Sequence, residues 1–136
     1  MERYLKVFIL SLVFCFIMDM LWLGLVAKAI YQQELSSLLR KSNGMMAPNW
    51  ISAVLVYIAL ISGILFFVIP KFPNSYHYTW LTGALFGLIV YSVYDCTNYA
   101  VLQNWTLKIT IVDILWGIIL CSSTSVFALY WHKKFS

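Results

Sequence analysis

The sequence predicts an all-α membrane fold: a polytopic, antiparallel four-transmembrane-helix bundle, one domain over residues 1–136, with an interfacial amphipathic helix after the first span. Three observations predict it. Apolar residues make up 62% of the chain and charged residues 10%, whereas a soluble domain carries about 45–50% and about a quarter. The mean hydropathy is +0.85, more apolar surface than one core of this size can hide, so the outer surface must face lipid. Four apolar stretches, about 7–26, 49–69, 78–102 and 107–131, are each long enough for the ~20 helical residues that cross a ~30 Å hydrocarbon layer. They are continuously apolar and do not alternate as barrel strands do, and lipid leaves the backbone no other way to satisfy itself than helix or closed barrel.

The first stretch begins behind Arg3 and Lys6 and ends before Ala27-Lys28-Ala29, a pattern that imitates a cleavable signal peptide. Its apolar run exceeds the ~7–15 residues of such a segment and contains Asp19, so it is assigned as the first helix. In the long loop that follows, Tyr31, Leu35, Leu38 and Leu39 form one apolar stripe among Gln32, Gln33, Ser36, Ser37 and Arg40. That pattern suits a helix lying at the headgroups, or a lid over a cavity mouth. Ser42-Asn43-Gly44 and Pro48 precede the second span, Pro70-Lys71-Phe72-Pro73-Asn74 separates the second from the third, and Gln103-Asn104-Trp105-Thr106 turns tightly into the fourth. Even-numbered spans put both termini and the Pro70 loop on one face. Five bases (Arg3, Lys6, Lys71, Lys133, Lys134) stand there against four (Lys28, Arg40, Lys41, Lys108) opposite, a narrow margin for cytoplasmic termini.

Of the five acidic residues, Asp19, Asp95 and Asp113 fall inside spans, while no Lys or Arg lies in the middle of one. Three unpaired ionised aspartates would cost on the order of 8–10 kcal/mol on the insertion scale, comparable to the stability of a small domain. They must be neutralised, hydrated or bound. Counting along each helix at 1.5 Å per residue puts all three roughly 10–14 Å below the face that carries Arg40 and Asn104. Three helices delivering an acid to one level predict a single polar pocket opening to that face, with Asp95 at its deep centre. The third span adds Tyr91, Tyr94 and Asn98 on the same stripe as Asp95. Trp22 and Trp116 each follow an aspartate by three positions, which places each indole N–H one turn from that carboxylate. The candidate ligand-binding residues are therefore Asp19, Trp22, Tyr91, Tyr94, Asp95, Asn98, Asp113 and Trp116.

Other features have plainer readings. Gly83 and Gly87 suit close helix packing, within the bundle or at a homodimer seam. Trp50, Trp80, Trp105 and Trp131 sit at span ends as an aromatic belt. Cys15, Cys96 and Cys121 lie in apolar runs and read as small apolar residues. His77 and His132 lie near the face away from the aspartates, which excludes a Ser-His-Asp triad and a zinc site, and no phosphate-binding glycine loop is present. No cofactor, metal or nucleic acid is expected; the nine bases are scattered.

Carboxylates among amide and phenol groups suit hard positive charge: a proton, a cation, or an ammonium-bearing small molecule or lipid headgroup, with Trp and Tyr faces adding cation–π attraction. A carrier or binding protein with membrane lipid as partner therefore ranks first. A structural or assembly subunit with an internally satisfied Asp cluster is the alternative, and a membrane enzyme using Asp acid/base chemistry on a lipid is the third class.

At Asp19-Met-Leu-Trp22-Leu23-Gly24, Tyr91-x-x-Tyr94-Asp95-x-Thr97-Asn98-x-Ala100 and Asp113-Ile-Leu-Trp116-Gly117, the chain resembles domain-of-unknown-function family 2177, small bacterial inner-membrane proteins. The Tyr-Asp-x-Thr-Asn segment is the most specific part. The resemblance implies four transmembrane helices and a bacterial cytoplasmic membrane; it brings no settled activity and no catalytic residue.

Overall fold

A computed structural model describes all 136 residues, and the chain is all-α apart from one two-residue strand pair. Helix α1 (Glu2–Leu21) begins earlier than its apolar run, carried outward by an exposed Glu2–Lys6 ion pair at 2.6 Å. It continues as a π turn over Trp22–Val26, closed by Ala27 N–H donating to the Trp22 carbonyl at 2.8 Å. Such wide turns mark local departures from regular helix, often near functional sites.

Helix α2 (Lys28–Glu34) is shorter than the predicted amphipathic helix. Leu35 leaves helical geometry, and Ser36 and Ser37, whose hydroxyls compete for the backbone, follow as a turn. The stripe nonetheless faces inward, with Tyr31 and Leu35 buried. Strands β1 (Lys41–Ser42) and β2 (Met45–Met46) then pair in antiparallel register. Asn43 at φ 53° and Gly44 at φ 79° form the tight turn, the Asn-Gly pair that tolerates two successive positive φ values.

Helix α3 (Trp50–Gly63) is capped by Asn49, whose side chain accepts from Ser52 N–H at 3.2 Å. It widens into a π turn at Ile64–Val68 and tightens into a 3-10 turn at Ile69–Lys71. Pro70 lacks a donor and crowds the carbonyl four residues back, so a regular α-helix cannot run through it. Helix α4 (Tyr76–Val101) is capped by Ser75 and α5 (Leu107–Lys134) by Thr106, each accepting from a backbone N–H at 3.3 Å.

Three segments, Glu2–Val26, Trp50–Lys71 and Leu107–Lys134, are long and apolar enough to cross a membrane. In α4, Asp95, Thr97, Asn98 and several tyrosines dilute the apolar content. The surface is inside-out relative to a soluble protein. Leu5, Ile9, Val13, Ile17 and Leu21 recur every four residues on an exposed face of α1, as do Leu107, Ile111, Leu115 and Ile119 on α5. Ser11, Thr79, Thr110, Ser122, Thr124 and Ser125 are buried instead.

Helix α1 runs antiparallel to α5, with contacts stepping from Tyr4–His132 through Phe14–Phe127 to Trp22–Trp116. It meets α3 at Phe16–Tyr57, and Gly63 at the end of α3 meets Phe86 of α4. Helices α4 and α5 pack along their lengths: a Cβ on Gly87 would overlap the Gly117 carbonyl, and one on Gly83 would press on Ser125. The close approach of both glycines is thus made within the chain, against α5.

Candidate functional site

Asp19, near the end of α1, accepts two hydrogen bonds from other helices. Tyr57 Oη of α3 donates to Oδ2 at 2.6 Å, and Trp116 Nε1 of α5 donates to Oδ1 at 2.8 Å. Asp113 of α5 accepts a short bond at Oδ1 from Tyr31 Oη of α2, and Tyr31 Oη in turn accepts from Trp22 Nε1 at 3.2 Å. The two Asp-x-x-Trp motifs are therefore crossed, correcting the one-turn expectation. Trp116 holds the aspartate of α1, and Trp22 reaches the aspartate of α5 through Tyr31. The indoles stack at 4.5 Å between ring centres and 4° between planes. Antiparallel α1 and α5 put each tryptophan opposite the other helix's acid, and stacking turns each N–H away from its own.

In front of this clasp lies a cavity of about 570 Å³, within the ~300–1,000 Å³ range of ligand pockets. Asp19, Asp113, Tyr31, Tyr91, Tyr94 and Trp105 line it. Leucines from the π turn, from the turn after α2 and from α3 supply much of the remaining wall, with Met46 of β2 among them. The roof is α2, held by two polar ties. Tyr31 reaches Asp113, while Glu34 accepts from Thr106 Oγ1 at 2.7 Å and pairs with Lys108 at 3.5 Å. Ala27, Tyr31, Leu35, Trp105 and Ile109 pack beneath it as a separate apolar cluster. Burial, then the neighbouring Asp113 carboxylate, pushes the Tyr31 phenol above its ordinary range, so it stays a donor throughout the neutral region.

The expected residues divide into two groups. Asp19, Asp113, Tyr91 and Tyr94 line the cavity; Trp22 and Trp116 stand behind it as the stacked clasp; Asp95 and Asn98 do not line it. Asp95, expected at the pocket's centre, is 0% exposed between α4 and α5, and neither of its oxygens meets a donor. Asn98 is half-buried one turn beyond Tyr94, toward the loop. Tyr31, Tyr57 and Trp105 were missing from the sequence-based set. Tyr57 could have been found by depth: at 1.5 Å per residue from Asn49 it lies roughly 12 Å in, level with the acids.

The cavity offers fixed negative charge at one place, aromatic faces beside it and an apolar remainder. No general base other than carboxylate lines it. The Tyr4–His132 contact puts His132 beside the start of α1, at the other end of the molecule. A family model described as Predicted membrane protein (DUF2177) matches residues 4–130. No curated protein and no solved structure matches the chain.

Proposed function

We propose, for a chain that belongs to the DUF2177 family of predicted membrane proteins, that it binds an amphiphile with a positively charged head. The ammonium sits at Asp19 and Asp113 and the hydrocarbon tail in the leucine-lined remainder. The observation that carries this reading is the lining itself: a cavity walled by aliphatic and aromatic side chains whose only carboxyls are those of Asp19 and Asp113. A lone metal ion or proton leaves the apolar wall without a purpose, and a neutral lipid leaves the acids without one. Tyr91, Tyr94 and Trp105 supply ring faces for the head.

In this reading four helices cross the membrane as a single domain. Helix α4 qualifies through its neighbour: it lies antiparallel along α5, whose length and hydropathy suit a crossing, so the two share one depth. The membrane is a bacterial cytoplasmic one with both termini on the cytoplasmic side, and the cavity then opens to the opposite face.

The test is binding of decylamine and decanol to the full chain in lipid nanodiscs, read by tryptophan fluorescence against empty discs. A charge-assisted contact contributes about 1.5–3 kcal/mol, so the amine should bind about tenfold or more tighter than the alcohol. Asp113→Asn should erase that preference. Equal binding of amine and alcohol by the wild-type chain would sink the proposal. One observation favours a second reading, in which the acids only hold the helices together: both oxygens of Asp19 already have protein donors. That reading predicts that neither compound binds above the empty disc.

A further inference from the structure

Asp95 is the one aspartate that neither the clasp nor the cavity uses. It is 0% exposed, and neither carboxyl oxygen has a hydrogen-bond partner among the protein's donors. An ionised carboxylate buried without donors is among the costliest arrangements a protein can contain, and inside a membrane no water relieves it. The surrounding elements bring no cation to offset it. Asp113 on α5 is the charged group that faces Asp95. From α4 itself come the Tyr94 phenol and, one turn on, the Asn98 amide, while the nearest phenol of α2, Tyr31, is spent on Asp113. The nearest base in sequence on α5, Lys108, is exposed at the helix start and pairs with Glu34.

The helix register sets what Asp95 points at. The Tyr91 ring stands directly over Gly117, so that a Cβ there would overlap it. In an antiparallel pair, one turn onward on α4 is one turn back on α5, which brings Asp95 against Asp113. A carboxyl that keeps its hydrogen has one donor to give, and a carboxylate has lone pairs to receive it.

We infer that Asp95 is a resident proton site: its carboxyl holds a hydrogen and donates it to Asp113, so the two acids form one hydrogen-bonded pair with a single negative charge. Asp113 then receives from Tyr31 on the cavity side and from Asp95 on the buried side, and it is the carboxylate that a positive head would meet. That last consequence rests on the amphiphile reading; the proton site does not.

The experiment is infrared spectroscopy of the full chain in nanodiscs at neutral pH, in water and in heavy water, with no amphiphile added. The expected result is a protonated-carboxyl C=O band that shifts down in heavy water, disappears in Asp95→Asn and persists in Asp19→Asn. Asp95→Asn keeps an N–H donor toward Asp113, which favours folding. Should it fail to fold, Asp113→Asn gives the same answer by moving the band, because the acceptor has changed. Absence of the band in the wild type, a band that neither Asp95→Asn nor Asp113→Asn alters, or a band lost in Asp19→Asn would overturn the proposal. Because the spectrum involves no ligand, failure of decylamine binding leaves the proton site standing, and absence of the band leaves the amphiphile reading standing.

Discussion

The α4–α5 seam and the α1–α2–α3 side of the molecule solve opposite problems. Along the seam, Gly83, Gly87 and Gly117 remove side chains so that backbones approach, and a Cβ at Gly83 or Gly87 would meet backbone or near-backbone atoms of α5. On the other side, Gly24 lies in a π turn with nothing within 4 Å of where a Cβ would stand, and a cavity of about 570 Å³ opens beside it. Glycine thus has two meanings in one short chain. Where two helices must touch, it is a steric requirement; where a helix must widen and hand over to a roof, it sits in open space. The contrast separates a closely packed wall from a loosely packed side, and it places the carboxyls Asp19 and Asp113 where the two meet.

The sharpest way to break the contrast is Gly87→Val. Overlap with the Gly117 backbone cannot be relieved by a rotamer change, so this variant should lose about 3 kcal/mol or more, or fail to fold, as read by thermal unfolding in detergent. Trp116→Phe comes next. It keeps a ring against Trp22 but leaves Asp19 Oδ1 without its donor, an expected loss of about 1–3 kcal/mol in the same assay. Tyr31→Phe should leave global unfolding nearly unchanged while loosening the roof. Loss of about 1–1.5 kcal/mol corresponds to roughly tenfold faster hydrogen exchange over residues 28–39. Because the Tyr31 phenol is held above its ordinary range, this tie is complete below the free phenol's pKa of about 10 and weakens only as pH rises beyond it. Exchange protection of the roof, corrected for intrinsic rates, should therefore be flat from pH 6 to about 9. The smallest effect belongs to Gly24→Ala, expected within about 0.5 kcal/mol of wild type. If Gly24→Ala proved as damaging as Gly87→Val, the division into a close-packed wall and a loosely packed side would be wrong.

Much of this was legible from periodicity. The apolar stretches and the apolar stripe through Tyr31 and Leu35 follow from spacing, because helices repeat a local rule. The β1–β2 hairpin was not, since two strands of two residues carry no alternation, although Asn43-Gly44 is a strong turn signal. Depth counting brought Asp19 and Asp113 to one level. It could not tell that Asp95 would turn into the α4–α5 seam, because level fixes height along a helix and says nothing about azimuth. The same limit hid the crossing of the Asp-x-x-Trp motifs: an i, i+3 spacing says which groups share a face, whereas the partner is chosen by the helix opposite.

The crossed clasp also bears on how the chain is made. Asp19 of α1 is made before its phenol partner Tyr57 of α3, and Trp116 of α5 is made after both. Until Trp116 has been made, α1 carries an acid whose docking is incomplete, and the arrival of α5 is what completes it. A nascent chain stalled short of residue 116 should therefore hold α1 with Asp19 Oδ1 still lacking its indole donor, so that α5 acts as a latch on a helix made well before it.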